Sequence, residues 1–266
     1  MGLKARIFEL FEAWNARALN AGGVSSWRNL GFWCKYGLSY SEAAEEMVRR
    51  HAQRLNLCEQ DCLLDLGYGD GSQLVFWKRA YLVHKIWGVE LRPRDLHGDA
   101  EVTVMTWEQL GQRPAVRPNK IVAVDSFYFF SQREEKLVAL ARRLPKGGQI
   151  CWSDFYLEKD AVGFGDRWAL HVISWLTGVP YANWQSLEQF KQLLNVTGFS
   201  RVETSVISDE VMGGFVAYVG RQASRPLIQR SGLILSVATA ALFRFLRRRR
   251  LLGYVLISAQ KSASNP

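Results

Sequence analysis

Leu63-Leu64-Asp65-Leu66-Gly67-Tyr68-Gly69-Asp70-Gly71-Ser72-Gln73 is the stretch that decides how this 266-residue chain is read. A short apolar run, Cys62 to Leu66, enters three glycines at alternating positions, and an apolar-rich run leaves them from Leu74. The pattern predicts a strand, a tight turn and the start of a helix. Glycine passes through positive φ without steric cost and lets the backbone approach a ligand, while the N-terminus of the following helix offers unpaired N–H groups. The turn therefore reads as a cradle for a nucleotide-like group. An ordinary strand-to-helix loop is the alternative until other residues join it.

Outward from the turn, Lys85-Ile86-Trp87-Gly88-Val89-Glu90 reads as a second buried strand closing on an acid. In nucleotide-binding α/β units an acid about 20 residues beyond the glycines accepts hydrogen bonds from the ribose hydroxyls. Glu90 is the candidate for that role, with a solvated strand end as the alternative. Val102 to Met105 predicts a third strand with Trp107 just past it, Ile121 to Val124 a fourth ending in Asp125-Ser126, and Gln149 to Trp152 a fifth ending in Ser153-Asp154. Arg133 to Leu144 has helical character, and Pro145-Lys146-Gly147-Gly148 is a turn. Strands alternating with helices give a parallel sheet, and such sheets bind ligands at the carboxyl ends of their strands. Asp65, Glu90, Trp107, Asp125 and Asp154 all fall at or near those ends, so one pocket is expected to collect them. Upstream, Ile7, Leu10, Phe11 and Trp14 recur at helical spacing over residues 3 to 20, and Ser41 is the expected N-cap of a helix running to about Leu55.

Composition narrows the classes further. With 48% hydrophobic and 22% charged residues the chain buries a substantial core as one globular unit. Ten tryptophans favour an aromatic-lined pocket or an amphipathic surface. The net charge of +9 is concentrated in Arg247 to Arg250, after an apolar run from Gly232 to Phe243. That run is too short to span a bilayer. It reads either as a helix packed on the sheet with a solvated basic end, or as an interfacial helix whose arginines meet anionic headgroups. No nucleic acid is expected as a partner, because no recognition helix and no interleaved basic and aromatic pattern is present. Cys34, Cys58, Cys62 and Cys151 lack paired spacing and a histidine partner, so neither a disulfide nor a metal site is expected. Arg6, Glu9 and Glu12 interrupt the first apolar positions where a secretory leader would be unbroken. The expected localisation is cytoplasmic, with peripheral contact to an anionic membrane through Arg247, Arg248, Arg249 and Arg250 as an addition to it.

Together these residues resemble the class I S-adenosylmethionine-dependent methyltransferases. Gly67-x-Gly69-x-Gly71 after a strand is similar to that family's first motif, Glu90 to its ribose acid, and Leu144-Pro145-Lys146-Gly147-Gly148 to the turn before its fifth strand. Asn29-Leu30-Gly31-Phe32-Trp33 with Tyr40-Ser41-Glu42-Ala43-Ala44 resembles the substrate-covering segment of small-molecule methyltransferases of the tocopherol and rebeccamycin-sugar type. Val179-Pro180-Tyr181-Ala182-Asn183-Trp184, followed by Gly198-Phe199, resembles their insertion after the fifth strand and the strand beyond it; Gly253 to Ala259 resembles their closing strand. The resemblance implies an α/β, Rossmann-like, seven-stranded and mostly parallel sheet with helices on both faces. It also implies an N-terminal helical cover over residues 1–56 and a cofactor-binding domain over 57–262, with a helical insertion at about 155–185 and a basic apolar helix at about 230–250.

The implied activity is methyl transfer from S-adenosylmethionine to an oxygen or nitrogen of a small, partly apolar molecule. A non-catalytic protein that keeps the fold and binds a membrane or a partner is the alternative. Cofactor contacts are expected from Asp65, Gly67, Tyr68, Gly69, Gly71, Glu90, Trp107, Asp125 and Ser126, and acceptor contacts from Phe32, Trp33, Tyr128, Asn183 and Trp184. Displacement at a sulfonium needs alignment and exclusion of water and no metal, and the faces of Tyr68, Tyr128 and the Phe32-Trp33 pair suit its positive charge. His171, within the segment resembling the substrate insertion, is the candidate catalytic base for a hydroxyl acceptor, with a packed helical histidine as the alternative. Three features depart from the family pattern. The chain between Glu90 and the fourth strand is short and carries Arg92-Pro93-Arg94, Trp107 stands where an Asp-Ala pair often meets the adenine, and Phe129 stands where relatives often carry a histidine. An amine acceptor would need no such base.

Overall fold

In a computed structural model of the protein, residue 19 and residues 26–93, 101–159, 163–222 and 234–262 are described. The helix expected over residues 3 to 20 lies outside the described residues except for Leu19, and Arg94 and Gly232 lie outside them as well. Strands β1 (Cys62–Leu66), β2 (Lys85–Val89), β3 (Val102–Met105), β4 (Lys120–Ala123), β5 (Gln149–Leu157), β6 (Phe199–Val206) and β7 (Leu252–Lys261) form one sheet. Their order is β3-β2-β1-β4-β5-β7-β6. The first five run parallel, and β7 is antiparallel to both β5 and β6. The seven-stranded, mostly parallel Rossmann-like sheet expected from the sequence is the sheet observed.

Successive strand residues point to opposite faces, so the central strands are apolar on both and each face holds its own core. Leu63, Ile86, Val122, Cys151 and Tyr254 share one face with α1 (Tyr40–Leu55), α2 (Ser72–Tyr81), α5 (Phe164–Thr177), α7 (Gly214–Gln222) and α8 (Ile234–Arg249). Leu64, Leu66, Ile121, Ile150 and Trp152 share the other with α3 (Trp107–Gly111), α4 (Arg133–Arg143) and α6 (Leu187–Val196). Each such fully buried side chain contributes about 1.5–3 kcal/mol. Residues 26–56 belong to the first of these cores through Trp27, Phe32, Tyr40 and Met47.

Two expectations are corrected by this framework. The N-cap of α1 is Ser39, not Ser41. Ser39 Oγ accepts from the Glu42 N–H, and Glu42 Oε2 accepts from the Ser39 N–H at 2.8 Å, a reciprocal box that places Glu42 at the third helical position. Strand β5 runs on to Leu157 because β7 pairs with it over that whole length, so Asp154 sits inside the strand and not at its end. Its carboxylate forms a buried ion pair with Arg133 at 2.8 Å, which removes it from any pocket at the strand ends.

Candidate active site

Gly67, Gly69 and Gly71 adopt φ of +74°, +67° and +100°. At Gly67 the requirement is doubled, since an added Cβ would overlap the side chain of Ser126 at the end of β4. Ser126 Oγ donates to the Leu66 carbonyl, so this expected cofactor residue closes β1 onto β4. Strands β1 and β2 are in register with Leu66 opposite Val89, which sets Glu90 beside the turn. Glu90 Oε2 accepts from the Gly69 N–H at 3.0 Å and Oε1 from the Leu91 N–H at 2.8 Å. Behind the turn, α2 has Gly71, which offers no side chain, as its N-cap, and Asp70 Oδ1 accepts from the Ser72 N–H at 3.3 Å.

Two residues expected at the cofactor turn inward instead. Tyr68 is 2% exposed, and its ring lies on Gly88, where an added Cβ would come within 2.6 Å of it. The missing side chain in β2 makes the hole that the tyrosine fills. Asp65 is fully buried, and its oxygens accept from Gln73 Nε2 and Trp77 Nε1, each at 2.7 Å. Burial pushes its carboxyl up to about 7, against both hydrogen bonds, and the charge of Glu90 adds to the rise. Asp65 thus ties β1 to α2.

Residues 26–30 cross above the carboxyl ends of β1 and β4. The Ser26 N–H donates to Ser72 Oγ at 3.1 Å, Arg28 Cδ lies 3.6 Å from where a Gly69 Cβ would stand, and the Leu30 N–H donates to Asp125 Oδ2 at 2.6 Å. Tyr40 Oη holds the segment from below by donating to the Trp27 and Asn29 carbonyls. Asp125, at φ +51°, gathers three parts of the chain, because Ser153 Oγ, at 2.6 Å, and Tyr254 Oη also donate to its Oδ1. Burial raises the Tyr254 hydroxyl pKa, with the charge of Asp125 next in effect, and keeps it a donor. Arg28, Tyr40, Ser153 and Tyr254 were not among the expected site residues. Arg28 carries a local signal, a cation just ahead of the Asn29 to Trp33 cluster, while Tyr40, Ser153 and Tyr254 lie in stretches the sequence marks without singling out their side chains. On the far side of the turn Trp107 opens α3, its ring edge-on to Phe130 at 6.2 Å and beneath Lys136 at 5.5 Å.

No family model matches the chain. The erythromycin 3''-O-methyltransferase of Saccharopolyspora erythraea is 24% identical over 205 residues, covering 71% of this chain and 67% of that protein. Among solved structures, phosphoethanolamine N-methyltransferase 2 of Haemonchus contortus, in complex with S-adenosyl-L-methionine, superposes with a TM-score of 0.65 at 13% identity over 82% of this chain; this chain spans only 52% of that one. The [4+2]-cyclase SpnF superposes with a TM-score of 0.67 at 19% identity over 97% of this chain and 95% of its own. The fold is that of the class I S-adenosylmethionine-dependent methyltransferases. A cyclase on the same fold shows that the fold alone leaves the reaction open.

The expected acceptor residues of this methyltransferase-fold chain are held in structural contacts. Asn183 Nδ2 donates to the carbonyls of Tyr128 and Phe130, at 2.8 and 2.9 Å, and straps the insertion to the loop after β4. Trp184 Nε1 donates to Ser174 Oγ at 2.7 Å, and Tyr128 packs edge-on against Phe155. Phe32 lies under the Arg50 guanidinium, and Trp33 stacks on Tyr218 with ring centroids 4.6 Å apart. His171 is not brought to this group. Helix α5 buries Leu170 and Ile173, which puts His171 outward, stacked on Tyr181 at 3.9 Å. Phe129, expected to stand where the resembled family often has histidine, is 45% exposed. Of the basic run, Arg247 is held by the Ser208 carbonyl and Asp209, and Arg249 by Asp166 at 2.8 Å. Among the described residues no cluster of His, Cys, Asp or Glu is placed to hold a metal ion, and no helix is long and apolar enough to cross a membrane.

Proposed function

We propose that this protein transfers a methyl group from S-adenosylmethionine to an oxygen or nitrogen of a small, partly apolar acceptor. The bond between Glu90 Oε2 and the Gly69 N–H carries the reading, because it sets a half-buried carboxylate against a glycine-rich, positive-φ turn at the head of a helix. That combination suits a ribose diol beside a close-lying backbone. The erythromycin 3''-O-methyltransferase likeness supports a small-molecule acceptor.

S-adenosylmethionine, when bound, supplies a methyl group made electrophilic by its sulfonium. Everything else falls to the chain. The positive-φ turn through Gly67, Gly69 and Gly71, open beside Gly69, brings the backbone to the cofactor, Glu90 accepts from the ribose hydroxyls, and Arg28 offers its charge to the methionine carboxylate. Trp107 and Phe130 present aromatic surface toward the adenine end. The crossing of residues 26–30 and the Asn183 strap exclude water, so that alignment governs the displacement. With His171 facing outward, Asp125 is the group fitted to take the proton of a hydroxyl acceptor. A carboxylate has about four lone-pair sites and three donors occupy it, leaving room for one more. The basic end of α8 extends the reading to peripheral contact with an anionic membrane.

Titration calorimetry with S-adenosylmethionine and with S-adenosylhomocysteine is expected to give binding in the micromolar range, weakened at least tenfold by Glu90→Ala with the thermal midpoint of the apoprotein kept. Incubation with methyl-labelled cofactor and fractionated small-molecule extract is expected to label one product. No heat with either nucleoside would overturn the reading; binding without any transfer would leave the fold serving another reaction.

A further inference from the structure

Two helices at one edge of the molecule turn apolar side chains outward. On α5, Phe164, Trp168 and Trp175 recur along a single helical face opposite the buried Leu170 and Ile173, and they are 88, 66 and 67% exposed. On α8 the same pattern repeats with Ile234, Val237 and Phe245, at 59, 52 and 44% exposed, opposite the buried Ser236, Ala240 and Phe243. The two helices meet where β5 leaves the sheet. Arg249 of α8 pairs with Asp166 of α5, Lys159 approaches the same carboxylate at 3.6 Å, and the Glu158 N–H donates to the Leu251 carbonyl. This is the carboxyl end of the parallel strands, the end that also bears the glycine turn.

We propose that these two stripes, with the basic end of α8, dock this protein on an anionic lipid surface. Charge selects the occupant. Arg244, Arg248 and Arg250 are exposed and make no ion pair among the described residues, whereas Arg247 and Arg249 are spent on Asp209 and Asp166. Exposed tryptophans on one helix and free arginines at the end of the other suit the headgroup boundary, where the ring takes the apolar side and guanidinium meets phosphate. A second copy on this face would bring two basic faces together in a chain of net charge +9. Nucleic acid would leave Ile234 and Val237 without a partner, since aliphatic groups do not stack on bases. The inference rests on the proposed methyl transfer only for its sense, an acceptor drawn from the lipid phase at the edge where the site opens.

Flotation of the full chain with vesicles tests it. Equimolar phosphatidylglycerol and phosphatidylcholine are expected to carry the protein up the gradient, and phosphatidylcholine alone to leave it behind. Trp168→Ser with Trp175→Ser, and separately Arg244→Gln with Arg248→Gln and Arg250→Gln, are each expected to reduce the floated fraction at least tenfold. Both variants should keep the far-ultraviolet spectrum and the calorimetric cofactor affinity of the parent, so that failure of the surface and failure of the methyltransferase reading give different results. Absence of flotation on anionic vesicles, or flotation unchanged in both variants, would overturn the proposal. So would a lipid-free dimer that the tryptophan variant dissociates, which would give the face to a second copy.

Discussion

Asp125 holds a backbone conformation that costs most residues strain, and Asp is among the few that enter it readily. Its carboxylate repays this by accepting from Leu30, Ser153 and Tyr254, which lie in the cover, β5 and β7. Asp125→Asn keeps the shape but turns an amide N–H toward one of those donors. The expected loss is about 1–3 kcal/mol in urea unfolding, accompanied by faster hydrogen exchange at the Leu30 amide. Unchanged exchange there would mean that the crossing of residues 26–30 is held by Tyr40 alone. The contrast with Glu90 shows what a residue pattern reveals. An acid at the end of the second strand must stand beside the first turn, because neighbouring parallel strands end together, and so Glu90 was legible. Asp125 was expected at a strand end too, but its partners were not. Tyr254 reaches it only after the closing strand has been laid antiparallel beside β5, a pairing that no local pattern encodes. The inward turn of Asp65 and Tyr68 was hidden for the same reason, since it depends on Gln73, Trp77 and Gly88 across the fold.

Among elements, the central strands β1 and β4 were legible nearly to the residue because burial on both faces makes each a largely apolar run bounded by turns. Boundaries set by partners were less so, and β5 outran its apolar core because β7 continued beside it. The phase of α5 was also hidden. His171 was chosen because its segment resembles the substrate insertion, which does not say which face of the helix it takes, and aromatic residues occupy the face that solvent receives. Contact between elements is testable at α7. A Cβ on Gly214 would overlap Trp33 Cβ, an atom next to the backbone that cannot swing away, whereas Gly220 in the same helix has nothing within 4 Å. Alanine gains up to about 1 kcal/mol over glycine inside a helix, and overpacking costs about 1–3 kcal/mol. Gly220→Ala is therefore expected to raise the thermal midpoint. Gly214→Ala is expected to lower it, with a changed near-ultraviolet spectrum as Trp33 leaves Tyr218. Equal effects at the two positions would show that the cover does not seat on α7.

For the whole molecule the buried titratable groups set how stability follows pH. Asp65 and Asp154 are raised by burial, to about 7 and about 6, while burial lowers His51 and holds it neutral. Unfolded carboxyls titrate near 3.9 and unfolded histidine near 6.5. Between about pH 4 and the folded value of each acid, the native state binds more protons than the unfolded one, so the acids make stability fall as pH rises. His51 acts the other way, because below about 6.5 the unfolded chain takes a proton that the native state refuses, and stability rises toward that pH. Through the acid range these effects oppose one another. Above pH 6.5 the histidine contribution is complete and Asp154 is nearly so, which leaves Asp65 to tilt the curve. Urea unfolding is expected to lose roughly 1 kcal/mol between pH 6.5 and 8 through this group, and Asp65→Asn is expected to flatten that segment while lowering stability throughout, since its amide cannot accept from both Gln73 and Trp77. A slope that survives in Asp65→Asn would mean that the two N–H donors keep Asp65 ionised in the fold and that another group titrates near neutrality.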